Sequence, residues 1–133
     1  MDGSGNILRR IALNLAVIAA ISLVLVSADV LHRQWTQFRK GERGVEAGDF
    51  AGAVAGYESA IHMYFPLSPL VSRSAERLWG IGEEFRRRGD RERALIAYRA
   101  LRSSFYSAEW IFLPGRDWIR RCDERTAELT GSR

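Results

Sequence analysis

Residues 78–101 read LWGIGEEFRRRGDRERALIAYRAL, and this stretch predicts two helices joined by a tight turn. Small and large apolar residues recur at helical spacing on both sides of the dipeptide Gly89-Asp90. A glycine can close a helix in the left-handed conformation, and an aspartate can cap the helix that follows. The positions expected to pack between the two helices are Leu78, Ile81, Gly82 and Phe85 before the turn, and Ala94, Tyr98 and Leu101 after it.

A second Gly-Asp turn lies 41 residues earlier, at Gly48-Asp49. After this turn, Ala53, Tyr57 and Ala60 occupy the same offsets as the small, aromatic and apolar residues that follow Gly89. The residues before it match less well. Gly41 fits the small place, but the places of large apolar residues are taken by Gln37, Lys40 and Gly44. The chain is therefore predicted to contain two helical hairpins, the first of them degenerate.

On this pattern, residues 34–106 resemble the tetratricopeptide repeat, a family of stacked helical hairpins. The resemblance implies a concave groove, lined by the first helix of each hairpin and including the helix at 70–88, that binds peptides and proteins. The family period is 34 residues, so about seven residues are added around 65–72. Two repeats give a shallow groove, which favours docking onto a larger assembly over capture of a free peptide.

The expected fold class is all-α. Turn and breaker signals place the helices at residues 33–47, 50–64, 70–88, 91–105 and 115–129, the first of them continuous with the apolar segment before it. No stretch alternates in the manner of a strand. The last helix is expected to cap the hairpins through its apolar residues Trp118, Ile119, Cys122 and Leu129.

An uncharged run occupies residues 11–28 and extends to Leu31 if Asp29 lies at an interface. At about 1.5 Å per residue, 18 to 21 helical residues span about 27–32 Å, close to the hydrocarbon thickness of a bilayer. The predicted organisation is a tail at 1–10, a transmembrane helix at 11–31, a helical domain at 32–130 and a tail at 131–133. The side chains expected at headgroup depth are Arg9, Arg10, Arg33, Trp35, Phe38 and Lys40.

A cleaved signal peptide is the alternative interpretation of the same segment, because Val26-Ser27-Ala28 resembles a small-residue cleavage site. Cleavage near Ala28 would release a secreted or periplasmic helical binding protein. If the segment is retained, the chain is a single-pass protein of the inner (cytoplasmic) membrane. The basic residues after the span favour a cytoplasmic domain, whereas the signal-like start favours an extracytoplasmic one, and we expect the latter.

Charge does not indicate nucleic-acid binding, although the chain of 133 residues has a formal net charge of +4. Nineteen of the 20 basic residues are arginine, and acidic residues are interleaved with them, whereas a nucleic-acid surface carries one sign over a broad area. Cys122 is the single cysteine and has no partner for a disulfide or a zinc site.

No catalytic motif is present in the sequence. His32 and His62 are 30 residues apart and outside any metal-binding spacing, and there is neither a phosphate-binding loop nor a nucleophile elbow. The adjacent carboxylates Glu83 and Glu84 point about 100° apart on a helix, so they do not converge on one substrate. We therefore expect a non-enzymatic protein with no cofactor, no metal and no small-molecule substrate.

Three features are candidates for partner binding, one of them the aromatic stretch at residues 62–67, which core packing and turn formation also explain. The basic cluster around the Gly89 turn offers guanidinium groups to an acidic peptide or an anionic lipid. The run of four large apolar residues at 110–113 is too long to face one small core, so part of it is expected to meet a partner or the bilayer. The candidate residues are Arg86, Arg87, Arg88, Arg91, Trp110 and Phe112. The predicted function is a docking or scaffold subunit that contacts other subunits of a membrane complex and the lipid bilayer.

Overall fold

The computed structural model describes residues 2–65, 68–107 and 115–131, and every element in those ranges is a helix. The helices are α1 (Asp2–Glu46), α2 (Phe50–His62), α3 (Leu70–Arg87), α4 (Arg91–Tyr106) and α5 (Gly115–Gly131). The predicted all-α class is confirmed for the described residues. The chain divides into two compact units, one ending at His32 and the other beginning at Arg33.

The first unit consists of the amino-terminal part of α1, and because the helix already begins at Asp2 it includes most of the predicted tail at 1–10. Between Ile7 and Val26 its large apolar side chains are 50–68% exposed and point to all sides of the helix. They are Ile7, Leu8, Ile11, Leu13, Leu15, Val17, Ile18, Ile21, Leu23, Val24, Leu25 and Val26. Among the described residues, one helix is long and apolar enough to span a membrane, and it contains this unit.

The second unit is organised by the two predicted Gly-Asp turns. Gly48 and Gly89 adopt φ values of +70° and +77°, which residues other than glycine rarely adopt. The Asp49 carboxylate then accepts the backbone N–H of Gly52 at 2.9 Å, and Asp90 accepts that of Arg93 at 3.1 Å. Each turn therefore ends one helix and caps the next, as the sequence predicts.

The same contacts recur in both hairpins at an offset of 41 residues. The buried ring of Tyr57 lies against Gly41, and the buried ring of Tyr98 lies against Gly82. A Cβ atom at Gly41 would be 2.7 Å from the Tyr57 ring, and one at Gly82 would be 2.5 Å from the Tyr98 ring. These two glycines therefore allow each tyrosine to fill the space between paired helices.

In the first hairpin, two glycines bring the backbones of α1 and α2 together. A Cβ atom at Gly44 would overlap the backbone of Ala53, and a Cβ atom at Gly56 would overlap the backbone of Gly41. Gly44 departs from the sequence pattern, which expects a bulky residue at that place. The contact shows the physical reason: α1 and α2 are too close there for any side chain.

Helix α5 covers the end of the second hairpin, as expected from its apolar residues. The Trp118 ring is 6.0 Å from Trp79 and 6.5 Å from Phe105, measured between ring centroids. Cys122 is fully buried, and burial raises its pKa to about 12, so the thiol stays protonated at neutral pH.

Candidate functional site

The described part of the second unit contains an open cleft of about 580 Å³ between the carboxyl-terminal turns of α1, the start of α2 and one face of α3. Helix α3 supplies the largest share of its lining, and the Gly48-Asp49 turn, α1, α2 and α4 supply the rest. The residues that line it are Gly44, Val45, Gly48, Asp49, Phe50, Ala53, Tyr57, Glu76, Arg77, Gly80, Ile81, Glu84, Phe85, Arg88 and Arg93.

One end of the cleft is formed by two aromatic rings beneath a guanidinium group. Phe50 and Phe85 meet edge to face, with ring centroids 5.1 Å apart. The Arg93 guanidinium lies 5.9 Å from the Phe50 ring and 5.4 Å from the Phe85 ring. Such cation–π contacts hold the arginine over the rings. Val45 adds an aliphatic side chain that is 53% exposed.

The arginines that line the cleft already have carboxylate partners. Arg77 pairs with Glu42 at 3.0 Å, Arg88 with Glu84 at 2.8 Å, and the N–O distance between Arg93 and Asp90 is 3.4 Å. In the part of the chain that the structure describes, the exposed Glu76 carboxylate has neither a hydrogen bond nor an ion pair. The charged side chain of the cleft that lacks a partner is therefore negative, although the net charge of the chain is positive.

The predicted basic cluster is divided between two sides of α3. Arg86 pairs with Glu83 at 2.9 Å and faces α5, where Glu128 is 3.9 Å away. Arg87 and Arg88 both bind Glu84, at 2.6 and 2.8 Å. Arg91 begins α4 outside the cleft. Arg88 is the member of the cluster that lines the cleft, and the partner-binding role of the cluster stays a prediction.

The other predicted partner-binding residues, Trp110 and Phe112, lie outside the described residues. The predicted interfacial residues Arg9 and Arg10 are exposed on the first unit. On the second unit Arg33 and Lys40 are exposed.

Phe38, one of the predicted interfacial residues, is buried. Its ring is 8% exposed and packs against Tyr57, with centroids 5.8 Å apart, so it belongs to the core of the helical unit. Trp35 is 44% exposed, stacks on Phe38 and carries the Arg39 guanidinium 6.0 Å from its ring. Of this aromatic pair, Trp35 is therefore the side chain available to an interface.

The predicted repeat positions are buried, except for two that are partly exposed in the cleft. Ile81 and Phe85 are partly buried and line the cleft. The remaining predicted positions are all buried. Seven of them are 0–2% exposed, namely Leu78, Ala94, Tyr98, Leu101, Ala53, Tyr57 and Ala60, and the eighth is Gly82. The small and aromatic pattern thus marks the packing between helices, whereas two of its large apolar residues also form a surface.

A carboxylate holds each tyrosine in place, and the sequence pattern did not indicate either one. The Tyr57 hydroxyl donates to Glu42 at 2.5 Å, and the Tyr98 hydroxyl donates to Glu83 at 2.7 Å. Burial and the neighbouring carboxylate raise the pKa of both phenols, so the tyrosines stay neutral donors. The signal available in the sequence is the 41-residue spacing of Glu42 and Glu83, which equals that of the two turns.

Glu83 also links three helices. Besides the Tyr98 hydroxyl it accepts hydrogen bonds from Arg86 and from Arg125 of α5, both at 2.9 Å. Burial alone would raise the pKa of the Glu83 carboxyl. The three hydrogen bonds outweigh that effect and hold its pKa below the ordinary value.

The geometry of the cleft suits binding by surface contact. Within the described ranges, no three His, Cys, Asp or Glu side chains are grouped so that they could hold a metal ion. The apolar lining, the aromatic end and the unpaired carboxylate are the kinds of group that fix a peptide segment.

Comparison with known proteins does not assign the chain to a family: no family model, no curated protein and no solved structure matches it.

Proposed function

We propose that the chain is a single-pass membrane protein whose helical domain docks another subunit of a membrane complex. The observation that carries this proposal is the cleft between α1 and α3, which presents apolar, aromatic and charged side chains on one open surface. The proposed role is non-enzymatic, with the groups that line the cleft acting by binding.

The resemblance to tetratricopeptide repeats supports the docking role. The paired contacts Gly41–Tyr57 and Gly82–Tyr98 are what two related hairpins would make. In a repeat protein of this kind the first helices line the binding groove. Here the corresponding helices are α1 and α3, and they line the observed cleft.

The anchoring role rests on the first unit. A helix that is apolar on all sides requires an apolar environment, and the large side chains of this unit are exposed in the isolated chain. A bilayer would cover them. We place the protein in the inner (cytoplasmic) membrane with the helical domain on the extracytoplasmic side. A reporter fused after Arg133 and active on one side only tests that orientation.

The docking role is tested by site-specific crosslinking in native membranes. A photoreactive phenylalanine analogue would replace Val45 in the cleft, with Ile96 on α4 as the matched control because it is 43% exposed and outside the cleft. We expect a discrete adduct with another membrane-complex protein from position 45 and none from position 96. Equal adducts from both positions, or adducts with lipid alone, would contradict the docking role.

The alternative function is a secreted or periplasmic binding protein formed by cleavage near Ala28. The second unit begins at Arg33, so this cleavage would leave it complete. Amino-terminal sequencing of the native protein separates the two functions. A start at Asp29 would rule out the anchor, and a start within the first ten residues would rule out the cleaved form.

A further inference from the structure

Apart from Gly115 and Gly131, the two terminal residues of α5, the glycines in the helices of the second unit have, with one exception, a reason within the fold. A Cβ atom would meet the neighbouring helix at four of them, and at Gly52 it would overlap the Asp49 carboxylate that caps α2. At Gly80, in the middle of α3, a Cβ atom would meet nothing within 4 Å. The four glycines at helix contacts are Gly41, Gly44, Gly56 and Gly82.

Gly80 therefore weakens α3 without improving its packing. Glycine is a poor helix former, and a residue with a side chain would fit at this position. Gly80 lines the cleft, so any side chain there would project into it. Glycine is used where another backbone must come close, and no described residue of this chain does so at Gly80.

The charge beside Gly80 indicates the chemistry of what approaches. Glu76 lies one helical turn before Gly80 on the same face and has no partner among the described residues. The guanidinium groups that line the cleft are paired with carboxylates of the chain itself. An incoming basic group would thus find an available carboxylate, whereas an incoming acidic group would have to displace existing ion pairs.

We propose that the cleft holds a segment of a partner protein whose backbone lies against Gly80, with an aliphatic side chain among the apolar lining groups and a basic side chain on Glu76. The proposal rests on the docking function above and specifies the chemistry of the docked segment. Gly80 sets how closely the segment approaches, and Glu76 selects its charge.

The test uses the full chain in lipid nanodiscs and a positional-scanning library of short peptides with blocked ends. We expect selection of peptides that carry lysine or arginine next to an aliphatic residue. Gly80→Leu fills the cleft and should weaken binding of the selected peptides by about tenfold or more. Gly131→Leu is the matched control, because a Cβ atom there also meets nothing within 4 Å and the position is outside the cleft.

Glu76→Gln tests the charge preference separately. We expect it to reduce the preference for basic over neutral peptides by about three- to tenfold while leaving binding of the neutral peptides unchanged. Glu92→Gln, an exposed carboxylate on α4 outside the cleft, should change neither. Circular dichroism of all four variants verifies that the helices are retained.

Several results would overturn this inference: no selection among peptides, selection of acidic peptides, or equal binding by wild type and Gly80→Leu. Binding of anionic lipid vesicles that is sensitive to Gly80→Leu, without peptide selection, would overturn it as well. A protein adduct from position 45 together with any of these results would leave the docking function standing, so the two failures can be told apart.

Discussion

At the scale of single residues, two glycines on α3 have opposite surroundings although they are two positions apart. Gly80 faces open space in the cleft, and Gly82 faces the buried Tyr98 ring. The sequence pattern identified Gly82, because a small residue before an aromatic one is part of the repeat. It did not identify Gly80, since the open space beside a residue depends on how α1 packs near α3.

The two glycines predict opposite effects of one substitution. Gly80→Ala should raise the free energy of unfolding by about 0.5–1 kcal/mol, because alanine favours the helix and meets no neighbour. Gly82→Ala should lower it by about 1–3 kcal/mol, because the new methyl group would press on the Tyr98 ring. Urea unfolding followed by tryptophan fluorescence measures both. A loss of stability in Gly80→Ala would contradict the open environment described for Gly80.

Glu83 predicts a stability that depends on pH. Glu83→Gln should lower the free energy of unfolding at pH 7 by about 1–3 kcal/mol, because three donors lose a charged acceptor. The pKa of Glu83 is lower in the folded chain than in the unfolded chain. The contribution of the Glu83 charge to the free energy of unfolding is therefore complete above the pKa of the unfolded chain, about 4.3, and is lost as the pH falls through the pKa of the folded chain.

The measurement is the difference in unfolding free energy between wild type and Glu83→Gln from pH 7 down to pH 3. We expect the difference to be constant near neutral pH and to narrow below about pH 4. Glu92→Gln serves as the control on an exposed carboxylate. A difference that stays the same down to pH 3 would show that the charge of Glu83 does not stabilise the junction.

At the scale of the elements, periodicity and turn chemistry predicted five helices and most of their ends. The expected helices 70–88 and 91–105 differ by one residue at one end from α3 and α4. Helix α2 ends at His62, two residues earlier than expected. The carbonyls of Ala60 and Met63 accept hydrogen bonds from the Gln34 side chain instead, both at 3.0 Å. Such a cap from a residue 26 or more positions away is not visible in a local pattern.

Gln34 therefore predicts a specific loss of stability. The side chain is fully buried, and its amide oxygen also accepts the Ser68 hydroxyl, so it joins α1, the end of α2 and the connection to α3. Gln34→Ala should lower the free energy of unfolding by about 1–3 kcal/mol, because it leaves buried carbonyls without a donor. Gln37→Ala, three residues along the same helix, should lower the free energy of unfolding by less than about 0.5 kcal/mol. Similar losses for both variants in urea unfolding would contradict the capping role.

At the scale of the whole molecule, the composition average concealed two different parts, and the uncharged run at 11–28 separated them. The boundary between the compact units follows His32, one residue beyond the expected boundary after residue 31. The cleft was less predictable, because it is formed by residues from α1, α2, α3 and α4 whose spacing along the chain shows no common pattern. The resemblance predicts a groove lined by the first helices, whereas the open glycine and the unpaired carboxylate of the cleft are known only from the contacts.

The division into two units predicts that they can be separated. Every described residue classed as buried lies at Gln34 or later, so removal of residues 1–32 deletes no core side chain. We expect the remaining fragment to unfold cooperatively and no longer to float with membranes. Circular dichroism on heating and a membrane flotation assay measure the two outcomes. A fragment without a cooperative transition would show that the first unit is needed for folding.

The backbone contact between α1 and α2 has a consequence for how the protein can change during evolution. Gly44 and Gly56 lie where any added side-chain atom would overlap main chain, so substitutions there cannot be absorbed by a rotamer change. On the cleft side of α3, Glu76, Arg77 and Gly80 are exposed. A lineage could therefore alter these positions of the cleft while the first hairpin stayed nearly invariant. An engineer who diversified Glu76, Arg77 and Gly80 would be sampling the variation that the fold tolerates.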